Sequence, residues 1–112
     1  MKEETILTHM LGASPKIRLV ELLLVGRDFD YCISDLAEHA GVGRTTIYRM
    51  LDGMIKSKFI TPTRKIGRIQ LYKLNKDNSD VKLLIKMFDE LLKTHSDLEI
   101  ERQTLRVKAA RN

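Results

Sequence analysis

Apolar residues recur at steps of three and four along most of the chain, a spacing that predicts a mainly helical protein. Ser14 followed by Pro15 is typical of an N-cap and a first helical residue, and Ser34 is an expected N-cap further on. Gly12, Gly26 and Gly41 mark the corresponding helix ends. Helices are therefore predicted at residues 3–11, 15–25, 34–40 and 44–57.

The spacing changes to an alternation of apolar and polar residues between positions 59 and 74. Ile69 and Leu71 alternate with Gln70 and Tyr72, as in a half-buried strand. A second β-prone run precedes Gly67, so the two runs predict a β-hairpin, with the Pro62 strand at the sheet edge. A shorter run at residues 29–33 indicates a small strand or an extended connector.

Helical spacing returns at Asp80 and continues almost to the C-terminus. A helix of about 25 residues spans roughly 38 Å, too long for so small a domain to cover. We therefore expect a second copy to pack on it as in a coiled coil, with residues 1–76 forming the main domain and residues 77–112 the dimerisation segment and basic tail. The predicted dimer contacts are Leu84, Phe88, Leu91, Leu92, His95, Leu98 and Leu105.

The connection Gly41-Val42-Gly43 joins two predicted helices by a tight turn, the arrangement of a helix-turn-helix. The run from Ser34 to Leu51 resembles the DNA-binding core of winged helix-turn-helix transcriptional regulators, including the ArsR-like and MarR-like groups and many small archaeal proteins. The positions that match this pattern of small, turning or buried residues are Ala37, Gly41, Val42, Ile47 and Leu51. Gly43 departs from it, because that position usually carries Ser or Thr as the N-cap.

This resemblance extends over residues 14–92 and implies an α+β winged helix-turn-helix fold: a three-helix core, a β-hairpin wing and a long C-terminal dimerisation helix. It also implies sequence-specific binding of double-stranded DNA by a homodimer, with the recognition helix in the major groove and the wing along the adjacent backbone or minor groove. The implied role is transcriptional regulation in a prokaryotic cytoplasm, on the nucleoid, and more often repression than activation.

Positive charge is concentrated in the middle of the chain. The net charge is +5, but residues 1–43 sum to −3, residues 44–76 to +8 and residues 77–112 to zero. Such a block is the expected electrostatic signature of a surface that binds a polyanion. The predicted DNA contacts are Arg44, Thr45, Thr46, Tyr48 and Arg49 on the recognition helix, and Arg64, Lys65 and Arg68 on the wing.

Other chemistry finds little support in the sequence. The single cysteine, Cys32, cannot form an internal disulfide, and the three histidines have no metal-ligand spacing, so we expect no metal and no cofactor. No phosphate-binding glycine loop or acid–base pair is present, and we expect no enzymatic activity. The sequence predicts neither a secretory signal nor a membrane span, and it identifies no small-molecule effector.

Two alternatives remain open at this point. A winged helix also serves as a protein-interaction module. Such modules tend to present an apolar or acidic recognition helix, whereas this one carries the basic residues Arg44 and Arg49. A non-specific, chromatin-type DNA-binding protein would share the basic block but prefer no sequence.

Overall fold

Short helices and one antiparallel hairpin precede a long C-terminal helix. A computed structural model describes the backbone of residues 5–111 and the side chains of residues 5–95. Its elements are α1 (Ile6–Leu11), α2 (Pro15–Val25), α3 (Ile33–Ala40), α4 (Arg44–Lys56), β1 (Ile60–Ile66), β2 (Ile69–Leu74) and α5 (Ser79–Arg111). This order confirms the predicted α+β class and its hairpin.

The core lies where α2, α3 and α4 meet the hairpin and the beginning of α5. Each element contributes the apolar face that its spacing predicts. The most deeply buried side chains are Leu19, Leu23, Leu24, Leu36, Ile47, Ile60, Leu74, Val81 and Phe88. Burial of these residues fixes the rotation of α4 about its own axis, and so determines which of its residues face solvent.

The helix starts follow the expected capping chemistry, with one correction. The Ser14 hydroxyl accepts a hydrogen bond from the Ile17 amide at 3.2 Å, as predicted for α2. α3, however, begins at Ile33 with Cys32 as its N-cap, so the assignment of Ser34 as N-cap is wrong. The Asp35 carboxylate accepts from the Cys32 amide at 3.4 Å, and this bond back to the cap extends the helix by a residue.

α4 ends without a glycine. Lys58 adopts a left-handed conformation with φ of 61°, and the Phe59 amide donates to the Met54 carbonyl at 2.9 Å. The side-chain amides of Asn75 and Asn78 both donate to the Lys58 carbonyl, at 2.9 and 3.0 Å. These bonds hold a non-glycine residue in a conformation that it would otherwise avoid.

The hairpin is attached to the body of the domain through Tyr31. The Tyr72 amide donates a hydrogen bond to the Tyr31 carbonyl, and the Tyr31 amide donates to the Tyr72 carbonyl, both at 2.8 Å. Tyr31 thus adds a one-residue third strand beside β2. β1 is therefore the edge strand. Pro62 stands opposite Tyr72, whose backbone groups point to the other side, so the missing proline N–H breaks no ladder bond.

The beginning of α5 packs on its own domain. Val81 and Phe88 are buried, and Phe88 is only 1% exposed. Its predicted role as a dimer contact is therefore corrected, because the side chain offers no surface to a second chain. Leu84 and Leu91 are partly buried against the same core.

The opposite face of α5 is the apolar face that the domain leaves open. Leu83 and Met87 lie one turn apart there, with exposures of 67% and 44%. The predicted contacts Leu92 and His95 follow Phe88 by four and seven residues and so continue its side of the helix; Leu92 is 38% exposed and His95 is half-buried. The predicted contacts Leu98 and Leu105 lie beyond the residues whose side chains are described.

A buried carboxylate holds α1 in place. Glu21 on α2 is 6% exposed, and its Oε2 accepts a hydrogen bond from the Leu7 amide at 3.0 Å. Its Oε1 accepts from the hydroxyl of Thr5, the N-cap of α1. The negative charge thus lies at the N-terminus of α1, where the helix dipole favours it.

Candidate nucleic-acid interface

α4 presents a polar face anchored by a buried one. Ile47, Leu51 and Met54 are buried, whereas Tyr48 is 61% exposed and Arg49 also faces solvent. Arg44 and Thr45 are exposed at the start of the helix, and Thr46 is half-buried. The predicted recognition-helix residues thus occupy the first two turns, with Thr46 the least accessible of them.

Arg44 joins α4 to the beginning of α3. Its guanidinium Nη2 donates a hydrogen bond to the Ser34 hydroxyl. Gly43 caps α4 without a side-chain bond, so Arg44 is the first side chain of this helix that can contact a ligand. Ser34, although not the N-cap, therefore orients the first basic residue of the recognition helix.

A groove of about 360 Å³ separates α4 from the hairpin, and we call it the α4–wing groove. Its lining includes Cys32 and Ser34 at the start of α3, Arg44 and Tyr48 from α4, and Arg68, Ile69 and Gln70 from the hairpin. Arg44 and Arg68 lie far apart in sequence but line the same groove, and among the described residues neither forms a salt bridge. The groove thus combines two arginines with the hydroxyl groups of Ser34 and Tyr48, which are donors of the kinds that contact a nucleic-acid backbone.

The predicted wing residues differ in their surroundings. Arg64 is paired with Asp30: Nε donates to Oδ2 at 2.9 Å and Nη2 donates to Oδ1 at 3.3 Å. Thr63 also donates to Oδ2, at 2.9 Å. Lys65 and Arg68 are exposed, and within the described part of the chain neither has a carboxylate partner.

The pairing with Arg64 is reflected in the protonation of Asp30. The hydrogen bond from Arg64, followed by that from Thr63, lowers the pKa of this carboxyl below its ordinary value. Because the pKa is lowered, the ion pair is complete at neutral pH and is lost only as the pH falls through the shifted pKa. At neutral pH the positive charge of Arg64 is therefore paired with the negative charge of Asp30.

A β-bulge explains how the wing reaches Asp30. Thr63 and Arg64 together oppose Leu71, because the register shifts between Pro62 and Lys65. The Gln70 side chain donates to the Arg64 carbonyl at 3.1 Å and so satisfies a backbone group that the bulge leaves unpaired. The sequence alternation gives no sign of this irregularity.

Acidic residues neutralise part of the basic block. Lys76 pairs with Asp28 at 2.5 Å, and Lys56 pairs with Asp52 at 3.0 Å. The hydrogen bond from Lys76 lowers the pKa of Asp28. Within the basic block, the described cations that form no salt bridge are Arg44, Arg49, Lys58, Lys65, Arg68 and Lys73, although the charge of Lys73 also acts on Asp28.

The described part of the chain offers neither a metal site nor a membrane span. No group of three His, Cys, Asp or Glu residues there is close enough to hold a metal ion. None of the helices, within the same residues, is long and apolar enough to cross a membrane.

Solved structures resemble this arrangement of helices and hairpin. The homodimeric winged helix-turn-helix DNA-binding domain of Mb0332 from Mycobacterium bovis, a possible ArsR-family regulator, matches with a TM-score of 0.54 and 18% identity over 82% of this chain and 80% of that one. The chain has the winged helix-turn-helix fold. In this fold, α3 and α4 form the helix-turn-helix and the β1–β2 hairpin is the wing.

Two other structures share this fold. The transcriptional regulator HlyU from Vibrio vulnificus matches with a TM-score of 0.56 and 20% identity over 73% of this chain and 82% of that one. ZitR from Lactococcus lactis, solved in complex with DNA, matches with a TM-score of 0.55 and 14% identity. That match covers 75% of this chain but only 60% of ZitR. No protein-family model and no curated protein matches the chain.

Proposed function

We propose that this protein is a sequence-specific DNA-binding transcription regulator without catalytic activity. The observation that carries the proposal is the α4–wing groove, which brings Arg44 and Tyr48 of the recognition helix onto the same surface as Arg68 of the wing. Recognition helices place their N-terminal residues in the major groove, where arginine bridges O6 and N7 of guanine. In this proposal α4 reads bases while the wing residues hold the neighbouring backbone.

Support for the division of labour comes from exposure and pairing. Arg44, Tyr48 and Arg49 project from a helix whose other face is buried in the core, so the core sets the direction in which they leave the helix. Lys65 and Arg68 have no carboxylate to release among the described residues and are available to phosphates. Arg64 contacts DNA only after exchanging Asp30 for a phosphate.

The proposal is tested by selecting bound fragments from random double-stranded DNA at a stated salt concentration. Enrichment of an inverted repeat is the expected result. Binding without enrichment would instead favour a non-specific DNA-binding protein, and absence of binding would favour a protein-interaction module. Either of these outcomes contradicts the proposal.

A charge-matched pair of variants separates base reading from general electrostatics. We expect Arg44→Gln to weaken binding to the selected sequence by about 1–3 kcal/mol and to relax the preference for one base pair. Lys16→Gln removes the same charge from an exposed position on α2 and serves as the control. Equal losses for the two variants would show that Arg44 acts only through net charge.

We further propose that the regulator acts as a homodimer, as a repressor, on chromosomal DNA in the cytoplasm. A two-fold dimer places two recognition helices in major grooves about 34–36 Å apart, which accounts for an inverted repeat. The self-association surface is assigned to the open face of α5 around Leu83 and Met87, because the seam that includes Phe88 is occupied by the core. DNA-bound Lactococcus lactis ZitR and homodimeric Mycobacterium bovis Mb0332 support this arrangement by analogy of fold.

A charge placed on this surface tests the dimer. Leu83→Lys is expected to shift the protein towards monomer in sedimentation-velocity experiments, because a buried unpaired ammonium opposes association. Val25→Lys is the matched control, since Val25 is equally exposed, at 67%, on α2. A Leu83→Lys protein that remained fully dimeric would assign the interface elsewhere.

A further inference from the structure

The tip of the wing carries an apolar pair that the domain does not cover. Ile66 and Ile69 face each other across the turn formed by Gly67 and Arg68, and their exposures are 56% and 55%. Gly67 has a φ of 64°, the left-handed conformation that a two-residue hairpin turn requires. The turn therefore holds two branched apolar side chains together at the most distal point of the hairpin.

The surroundings of this pair indicate which kind of partner it meets. Lys65 and Arg68 adjoin the isoleucines, are exposed, and have no carboxylate partner among the described residues. Ile69 also lines the α4–wing groove with Arg44 and Tyr48. The apolar tip is thus continuous with the surface assigned to DNA and is flanked by positive charge, which complements a polyanion.

We propose that the Ile66–Ile69 pair, which we call the isoleucine tip, contacts the minor groove beside the recognition site and favours A·T base pairs there. This inference rests on the proposed DNA binding. Guanine places its 2-amino group, a hydrogen-bond donor, in the minor groove, whereas an A·T pair presents only acceptors. Apolar side chains leave that donor unsatisfied at a G·C pair. In addition, proteins that insert apolar side chains between base steps deform the duplex most easily at flexible steps such as TA.

The chemical group responsible can be isolated in the DNA. Three duplexes share the selected recognition sequence and differ only in the flank that the wing reaches, which contains A·T, G·C or inosine·C pairs. Inosine lacks the 2-amino group but keeps the major-groove pattern of guanine. We expect the A·T and inosine·C duplexes to bind about fivefold to tenfold more tightly than the G·C duplex.

The protein side of the test is the variant Ile66→Thr/Ile69→Thr. Threonine keeps the branched shape that suits a strand but adds a hydroxyl, so the hairpin is retained while the apolar surface is lost. We expect this variant to lose the flank preference and to keep the salt dependence of binding, because no charge has changed. Val25→Thr makes the same chemical change at another exposed apolar position and should keep the preference.

The outcomes distinguish this inference from the proposed function. A wild-type protein that binds the recognition sequence without flank preference, or a threonine variant that retains the preference, overturns the inference alone. Absence of any DNA binding overturns the inference together with the proposed function. Sedimentation with phosphatidylglycerol vesicles that depends on both isoleucines, in a protein without flank preference, would assign the tip to a membrane and also overturn it.

Discussion

Gly26 offers a sharp test of how the domain is packed, because two physical effects predict opposite signs for its replacement by alanine. Its φ of −100° is accessible to any residue, so the backbone does not require glycine. A Cβ at this position, however, would lie 1.8 Å from Tyr31 Oη and 3.0 Å from Tyr31 Cζ. Glycine is therefore needed here for space and not for conformation.

The magnitude follows from comparing the two effects. Alanine would stabilise the protein by about 0.4–1 kcal/mol through the unfolded chain if it fitted, whereas overpacking costs about 1–3 kcal/mol. Tyr31 cannot move away freely. Two backbone hydrogen bonds of 2.8 Å connect it to Tyr72, and its ring packs edge-on against His39. We expect Gly26→Ala to lower the free energy of unfolding by about 1–2 kcal/mol.

Denaturant unfolding of a double-mutant cycle measures this clash. Tyr31→Phe removes the oxygen that the new methyl group meets, so Gly26→Ala should cost at least about 1 kcal/mol less in that background. Gly53→Ala is the control: this glycine lies inside α4 with nothing within 4 Å of a Cβ, and alanine should stabilise by about 0.5–1 kcal/mol. A Gly26→Ala protein as stable as the wild type, or an equal cost in both backgrounds, would refute the steric argument.

Three further predictions concern the other local features. Lys58→Gly should raise the free energy of unfolding by about 1 kcal/mol in denaturant titration, since glycine accepts a left-handed φ without strain; an unchanged value would contradict it. Asp30→Asn should release Arg64 and steepen the log–log salt dependence of DNA affinity by about 0.9, the equivalent of one phosphate contact; an unchanged slope would show that Arg64 does not reach the backbone. Glu21→Ala should lower the free energy of unfolding by about 2 kcal/mol and speed hydrogen exchange at the Leu7 amide, and Glu21→Gln should have a smaller effect. Equal effects of the two variants would argue against the hydrogen bonds of Glu21.

Local sequence signals determined most of the secondary structure. Ser14 and Pro15 set the start of α2, and Gly41 set the end of α3, because caps and left-handed turns depend on residues adjacent in the chain. The alternation in β2 and the apolar spacing of α4 likewise predicted the elements that form. The predicted start of α3 was misplaced because Cys32, and not the neighbouring candidate Ser34, is the N-cap of this helix.

The composition of the candidate site was only partly predictable. Sequence reasoning placed Arg44 and Arg68 on a DNA-binding surface, and the charge distribution supported this. It missed Ser34 and Gln70 as neighbours of these arginines, because contacts between residues on different elements leave no local pattern. It also named Arg64 as a DNA contact without its ion-pair partner Asp30, which lies 34 residues earlier in the chain.

What the sequence determined by itself was therefore which face of each element is apolar and which segment is basic. Periodicity fixes a helix face, but it does not say what covers that face. The stripe containing Val81 and Phe88 fits a coiled coil and a domain core equally well, and only the tertiary structure assigned it to the core. Burial, ion pairing and steric fit depend on distances between residues remote in sequence, so these were decided by the packing of the whole fold.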